Sequence, residues 1–185
     1  MPWPLTPVDA LCVPTVGHAP TAASGIAPWA RRRARDIRER TNLMSMTHSQ
    51  MDQLVNDHFR FEATDDVDAV LGTLSEQAEH EVIPSPMGAL TDIAEMRTYY
   101  EMLFTNIQGE SVTPLRRLYG QDFVIDETLW RGHIADGLPF LCDGRSGDVS
   151  FRLLHVFEIQ DGKIKREQAW CDLAAIREQL GCTIG

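Results

Sequence analysis

The apolar pattern falls into helical blocks first and strand-like blocks afterwards. Met51, Leu54, Val55, His58 and Phe59 recur at helical spacing, which predicts a helix from about 47–49 with His58 on its buried face. Thr64-Asp65-Asp66 ends it and caps a second, shorter helix carrying Val67, Val70, Leu71 and Leu74. A short strand over 79–83 then runs into Pro84-Ser-Pro86-Met-Gly88. Thr91 or Asp92 caps a third helix, with Ile93, Met96, Tyr100, Leu103, Phe104 and Ile107 inward and Gly109 at its end.

From Val112 the period changes to two. Residues 115–119 and 123–133 flank Gly120-Gln-Asp and predict a hairpin. In the longer run Phe123, Ile125, Glu127, Leu129 and Arg131 share one face, taken as the inner one; Val124, Asp126, Thr128 and Trp130 share the other. After a turn-rich loop over 135–149, runs 151–159 and 163–171 flank Asp161-Gly162, the strongest short hairpin signal in the chain. Phe151, Leu153, His155, Phe157 and Ile159 make one face, an apolar stripe interrupted by a single histidine. Glu167 alternates with Ala169 and Cys171 on the neighbouring strand. Asp172 caps a last helix ended by Gly181. The order α-α-β-α-β-β-β-β-α predicts an α+β fold, with helices on one face of a curved, mainly antiparallel sheet.

Composition changes the picture at the N-terminus and in the choice of partners. Residues 1–46 are rich in proline and alanine, hold six arginines, and lack periodic apolar positions; they are expected to be disordered. Met44 or Met46 would each serve as a start just before the first helix. Residues 47–185 are then a single domain with 11 basic and 24 acidic side chains, a balance of −13 that repels phosphate backbones and argues against nucleic acid. No apolar run of about 18 residues is present to span a membrane, and no secretory signal pattern is evident. Cys12, Cys142, Cys171 and Cys182 show no metal-ligand spacing, which fits reduced thiols in a cytoplasmic protein.

The element order, the run His155-Val-Phe-Glu-Ile-Gln-Asp-Gly-Lys-Ile164 and its Trp170-Cys-Asp172 ending resemble the superfamily of nuclear transport factor 2, ketosteroid isomerase and SnoaL-like polyketide cyclases, over about 47–181. The resemblance implies a cone whose curved sheet and helices enclose an apolar pocket, and a homodimer through the outer sheet face. It also carries site positions. The isomerase's tyrosine on the first helix falls at His58, its second oxyanion donor at His155 and a pocket-lining residue at Glu167. Its catalytic aspartate, which precedes a Pro-x-Gly turn, falls at Ser85, and the acid/base aspartate of the cyclases falls at Ala169, three residues before Asp172. Both familiar catalytic patterns are therefore broken.

What remains is His58, Glu81, Glu127, His155 and Glu167 as candidate catalytic residues, with Glu81 at the margin. Met87, Tyr100, Phe104, Phe123 and Trp170 are candidate pocket walls. A carboxylate in a desolvated pocket beside an imidazole is the equipment of general acid/base chemistry. The expected function is a cofactor-independent isomerase, cyclase, dehydratase or epoxide-opening enzyme acting on an apolar, oxygenated ring compound of polyketide, terpenoid or steroid type. The alternative is a non-catalytic binding or dimeric assembly module. No metal-ligand spacing and no phosphate-binding glycine loop occur in the sequence.

Overall fold

The computed structural model describes residues 46–85 and 87–182, which lie in one compact unit, Arg40–Gly185. The expectation of disorder over 1–46 therefore falls almost wholly outside the described residues. The elements run α1 (His48–Glu62), α2 (Val67–Thr73), β1 (Leu74–Ile83), α3 (Ile93–Asn106), β2 (Ile107–Tyr119), β3 (Phe123–Ile134), a 3-10 turn (Leu138–Phe140), β4 (Gly147–Gln160), β5 (Lys163–Cys171) and α4 (Leu173–Gln179). This is the expected order and an α+β fold.

Local chemistry sets the boundaries. Thr47 and Gln50 form a reciprocal capping box at the start of α1. The carboxylates of Asp66, Asp92 and Asp172 accept backbone N–H groups at the starts of α2, α3 and α4. Asp161 and Gly162 both take positive φ, 52° and 76°, the pair of left-handed residues that a two-residue hairpin needs. Two boundaries differ from the sequence reading. β1 begins at Leu74, directly after α2, and β2 begins at Ile107, directly after α3. In both places strand pairing takes over at a residue whose apolar side chain suits either periodicity: Leu74 faces Ile164 and Ile107 faces Ile134.

The sheet order is β1-β5-β4-β3-β2. β1 runs parallel to β5 and the other three pairings are antiparallel. On the inner face one cross-strand row is His80, Glu167, Phe157, Val124 and Tyr119; the next is Val82, Ala169, His155, Asp126 and Arg117. The main core joins Met51 and Val55 of α1, Val70 of α2, and Met96 and Tyr100 of α3 to Val124 and Phe157 of the sheet. A second core, around Ile134, Phe140, Phe151, Ile176 and Leu180, seats α4 and the 3-10 turn.

The cysteines correct an expectation. Cys142 and Cys182 form a disulfide with Cα atoms 6.1 Å apart, and Cys171 is the free cysteine among the described residues. The pair is 40 residues apart in sequence. The bridge between Gly137 and Cys142 and the turn after α4 bring the two together, and no spacing motif foreshadows that. Among the described residues no helix is long and apolar enough to cross a membrane.

Candidate functional site

One buried polar cluster lies where α1, α3, β1, β4 and β5 meet. α1 turns Met51, Val55 and His58 inward at spacings of four and three, so His58 sits one turn below the apolar contacts and is fully buried. Alternation on β5 puts Glu167 on the same inner face, 1% exposed. His80 lies opposite it on β1, and His155 lies diagonally across on β4. Tyr100 of α3, also fully buried, donates its hydroxyl to Glu167 Oε2 at 3.0 Å.

The hydrogen bonds define the state of His58. The Thr73 hydroxyl donates to the Val70 carbonyl at 2.6 Å, which commits its only proton. His58 Nδ1, 2.7 Å from that oxygen, must then be the donor. The other ring nitrogen, Nε2, lies 3.2 Å from Glu167 Oε2 and 3.5 Å from Glu62 Oε1. A bare lone pair there would face two carboxylates. Burial would lower the His58 pKa, but Glu167 and Glu62 outweigh it and raise it to about 10. Burial in turn would raise the Glu167 carboxyl, and the His58 charge outweighs that, holding Glu167 well below the usual carboxylate range. Nε2 lies off the line of a good hydrogen bond to either carboxylate, so the contact is one of charge. Burial first, and the neighbouring carboxylates second, push the Tyr100 hydroxyl well above its ordinary value, which keeps it a donor. Burial lowers His80, whose ring packs between Tyr99 and Tyr100 at centroid distances of 5.1 Å.

His155 has a ring nitrogen with neither a hydrogen bond nor a facing carboxylate. Its Nε2 lies 3.8 Å from Glu167 Oε1, beyond direct hydrogen bonding. Its Nδ1 is buried and has no partner. The ring is fixed by stacking on Phe157 at 5.4 Å and by the edge of Phe59 at 5.0 Å. Beside it on the inner face, Arg117 donates to Asp126 (2.5 Å), Asp52 (2.7 Å) and Asn56 (2.9 Å). That network borders a groove of about 350 Å³ lined by Asn56, Pro114, Leu115, Arg116, Arg117 and Asp126. Asp126 is the direct cross-strand neighbour of His155.

The structure thus brings His58, His155, Glu167 and Tyr100 together, with Phe104 half-buried 5.6 Å from the Tyr100 ring. It separates the others. Glu127 lies on the outer face and pairs with Arg152. Glu81 is also outward, accepting from Gln168 at 2.8 Å, while its neighbour His80 points in. Of the expected pocket walls, Met87, Phe123 and Trp170 are exposed by 57%, 38% and 47%. The cause is a strand phase error. Both faces of β3 carry apolar residues and one carboxylate, so hydrophobicity does not choose between them. The inward carboxylate is Asp126, made acceptable by Arg117. Phe123 shares the outward phase of Glu127, and Trp170 takes the outward phase of β5. Met87 lies in the loop between β1 and α3, outside the alternation altogether. Glu62, Thr73 and His80 were missed, although the four-residue spacing of His58 and Glu62 puts both on one helix face.

A five-stranded mixed sheet with helices across one face is the cone-like fold of the nuclear transport factor 2 group. The sequence matches the SnoaL-like domain family over residues 55–167, and the chain belongs to that family. Solved structures agree on the fold. A candidate isomerase from Bacillus subtilis is 18% identical, with 75% of this chain and 99% of that one covered and a TM-score of 0.62. A candidate SnoaL-like polyketide cyclase from Shewanella putrefaciens is 10% identical, with coverage of 74% and 98% and a TM-score of 0.61. An LEH-like epoxide hydrolase from Mycobacterium tuberculosis is 17% identical, with coverage of 71% and 90% and a TM-score of 0.55. No curated protein matches the sequence.

Proposed function

We propose that the protein is an acid/base enzyme acting on an apolar, oxygenated ring compound, with His155 as the proton-transferring group. The observation that carries this is the pairing at His155: Nδ1 is buried and unpartnered, while Nε2 faces the Glu167 carboxylate at 3.8 Å. Relative to the sequence-based expectation the roles of carboxylate and imidazole are exchanged. A carboxylate held ionised by His58 and Tyr100 is too weak a base to remove a proton itself. It is suited to orienting an imidazole and stabilising the imidazolium once a proton arrives, as the third member of a catalytic triad does. His155 Nδ1 takes a proton from carbon or from water, the positive ring rests against Glu167 Oε1, and the same nitrogen returns the proton to the product. Asp126, the cross-strand neighbour of His155, lines the groove, which supports a substrate site next to this residue. Isomerisation, cyclisation, dehydration and epoxide opening all use such a step, and the family's named relatives support that range.

The test is hydrogen–deuterium exchange at carbons next to the carbonyl in a panel of cyclic ketones. Wild type should accelerate exchange in at least one, and His155→Phe should lower the acceleration by about 10²–10⁴. Equal exchange by both proteins would remove the proposal.

The outer sheet face supports a second copy of the chain as partner, because Trp170, Leu118 and Phe123 are exposed by 47%, 41% and 38%. Sedimentation of wild type against Trp170→Arg tests this: a dimer that the substitution dissociates supports it, and a monomeric wild type removes it.

A further inference from the structure

The donor atoms around His58 also have the geometry of a metal site. His58 Nε2 lies 3.2 Å from Glu167 Oε2 and 3.5 Å from Glu62 Oε1, and one ligand atom from each of the three residues lies within 4.8 Å of the others. In a tetrahedral site with metal–ligand bonds of about 2.0–2.1 Å, ligand atoms sit about 3.3–3.4 Å apart. The two shorter separations bracket that value. Thr73 fixes the Nδ1–H of His58, as a hydrogen-bond acceptor behind a metal-bound histidine does, and so aims Nε2 at the two carboxylates. Nε2 is itself fully buried and lacks a hydrogen-bond partner.

Charge points the same way. An imidazolium between two carboxylates leaves the group at −1, whereas a divalent ion with a neutral imidazole brings it to zero, the lower-cost state where Glu167 and His58 are desolvated. We propose that His58 Nε2, Glu62 Oε1 and Glu167 Oε2 bind one divalent transition-metal ion, zinc being the best match to one imidazole and two carboxylates, with a fourth position open. The ion takes the place of the His58 proton. In either state a positive charge faces Oε2, while Oε1 remains turned toward His155. The site rests on the same cluster as the acid/base reading, but Glu62 has no part in the proton transfer, so the two can be tested apart.

The experiment uses full-length protein stripped with EDTA and dialysed, titrated with Zn²⁺ in a calorimeter and with Co²⁺ in a visible spectrometer. The expected result is one ion per chain with a saturating cobalt band. Thr73→Val should weaken zinc binding by about 10–100-fold, Glu62→Gln, which removes a direct ligand, by more than that, and Glu62→His should recover it. Because the Glu62 side chain is 22% exposed, Glu62→Gln keeps the fold, which unchanged near-UV circular dichroism would verify. An absent saturating band, or Glu62→Gln binding zinc as tightly as wild type, overturns the site. Failure here with ketone exchange intact removes the metal alone; loss of exchange in wild type with zinc binding intact removes the acid/base reading alone.

Discussion

Replacing His58 or Glu167 alone should destabilise the protein far more than replacing both. Opposite charges 3.2 Å apart attract by about 5 kcal/mol at an effective dielectric constant of about 20. Removing one partner leaves the other either charged without its main counter-charge or forced to give up its charge, which makes His58→Leu or Glu167→Leu cost about 3–5 kcal/mol each. The double variant leaves no buried charge. It retains a smaller penalty of about 1–3 kcal/mol, because the Tyr100 hydroxyl has lost its acceptor. The coupling energy is therefore about 3 kcal/mol or more, against about 0.3–0.5 kcal/mol for independent sites. Urea unfolding at neutral pH in EDTA, followed by fluorescence and circular dichroism, measures all four corners of the cycle. Additive costs would refute the idea that these two residues form one charged unit.

The same pair sets a pH window. His58 is raised in the folded state, so its contribution is full below the ordinary histidine value of 6.5 and is lost as pH rises through about 10. Glu167 is lowered, so its contribution is full above the ordinary carboxyl value of 4.5 and is lost in more acid solution. Urea midpoints should be highest between these values, and His58→Leu should remove the alkaline decline. Burial pushes the Cys171 thiol up to about 12, so in a Cys12→Ser variant a disulfide reagent should find almost no thiol until the chain unfolds, then one, and three after reduction. Arg117→Met strands Asp126, which is 3% exposed, and should cost about 3–5 kcal/mol in unfolding experiments. Arg152→Met, whose partner Glu127 lies on the outer face, should cost about 1 kcal/mol or less.

Fold and site were legible to different degrees. The Asp161-Gly162 hairpin, the aspartate caps and the helical face of α1 are local signals, and each led to an element that the structure contains. Half of the site followed from them, because His155 and Glu167 flank one turn, the phase of His155 is fixed by its strongly apolar strand neighbours, and Glu167 alternates with Ala169 and Cys171 on the paired strand. The phase of β3 was not fixed in this way. Asp126 can face inward only because Arg117 of the preceding strand meets it there, and a single strand's pattern does not show that pairing. His80 was lost for the same reason: β1 joins the sheet by a parallel pairing with β5, whose partner residues lie 87 or more positions later in the chain, so its inner face is set by a distant partner. Thr73 closes a helix and looks like a terminus residue; its role appears only once His58 lies above it.

The most direct measurement is the protonation state of the His58 ring, read from ¹⁵N and ¹H imidazole signals at pH of about 8 in EDTA. Histidines of ordinary pKa are neutral there. The account predicts that His58 carries protons on both nitrogens, with Nδ1–H shielded from solvent by Thr73, and that Glu167→Gln leaves it with one. A neutral His58 ring in the wild-type protein, or a ring indifferent to Glu167→Gln, would contradict the charged cluster on which the site is built.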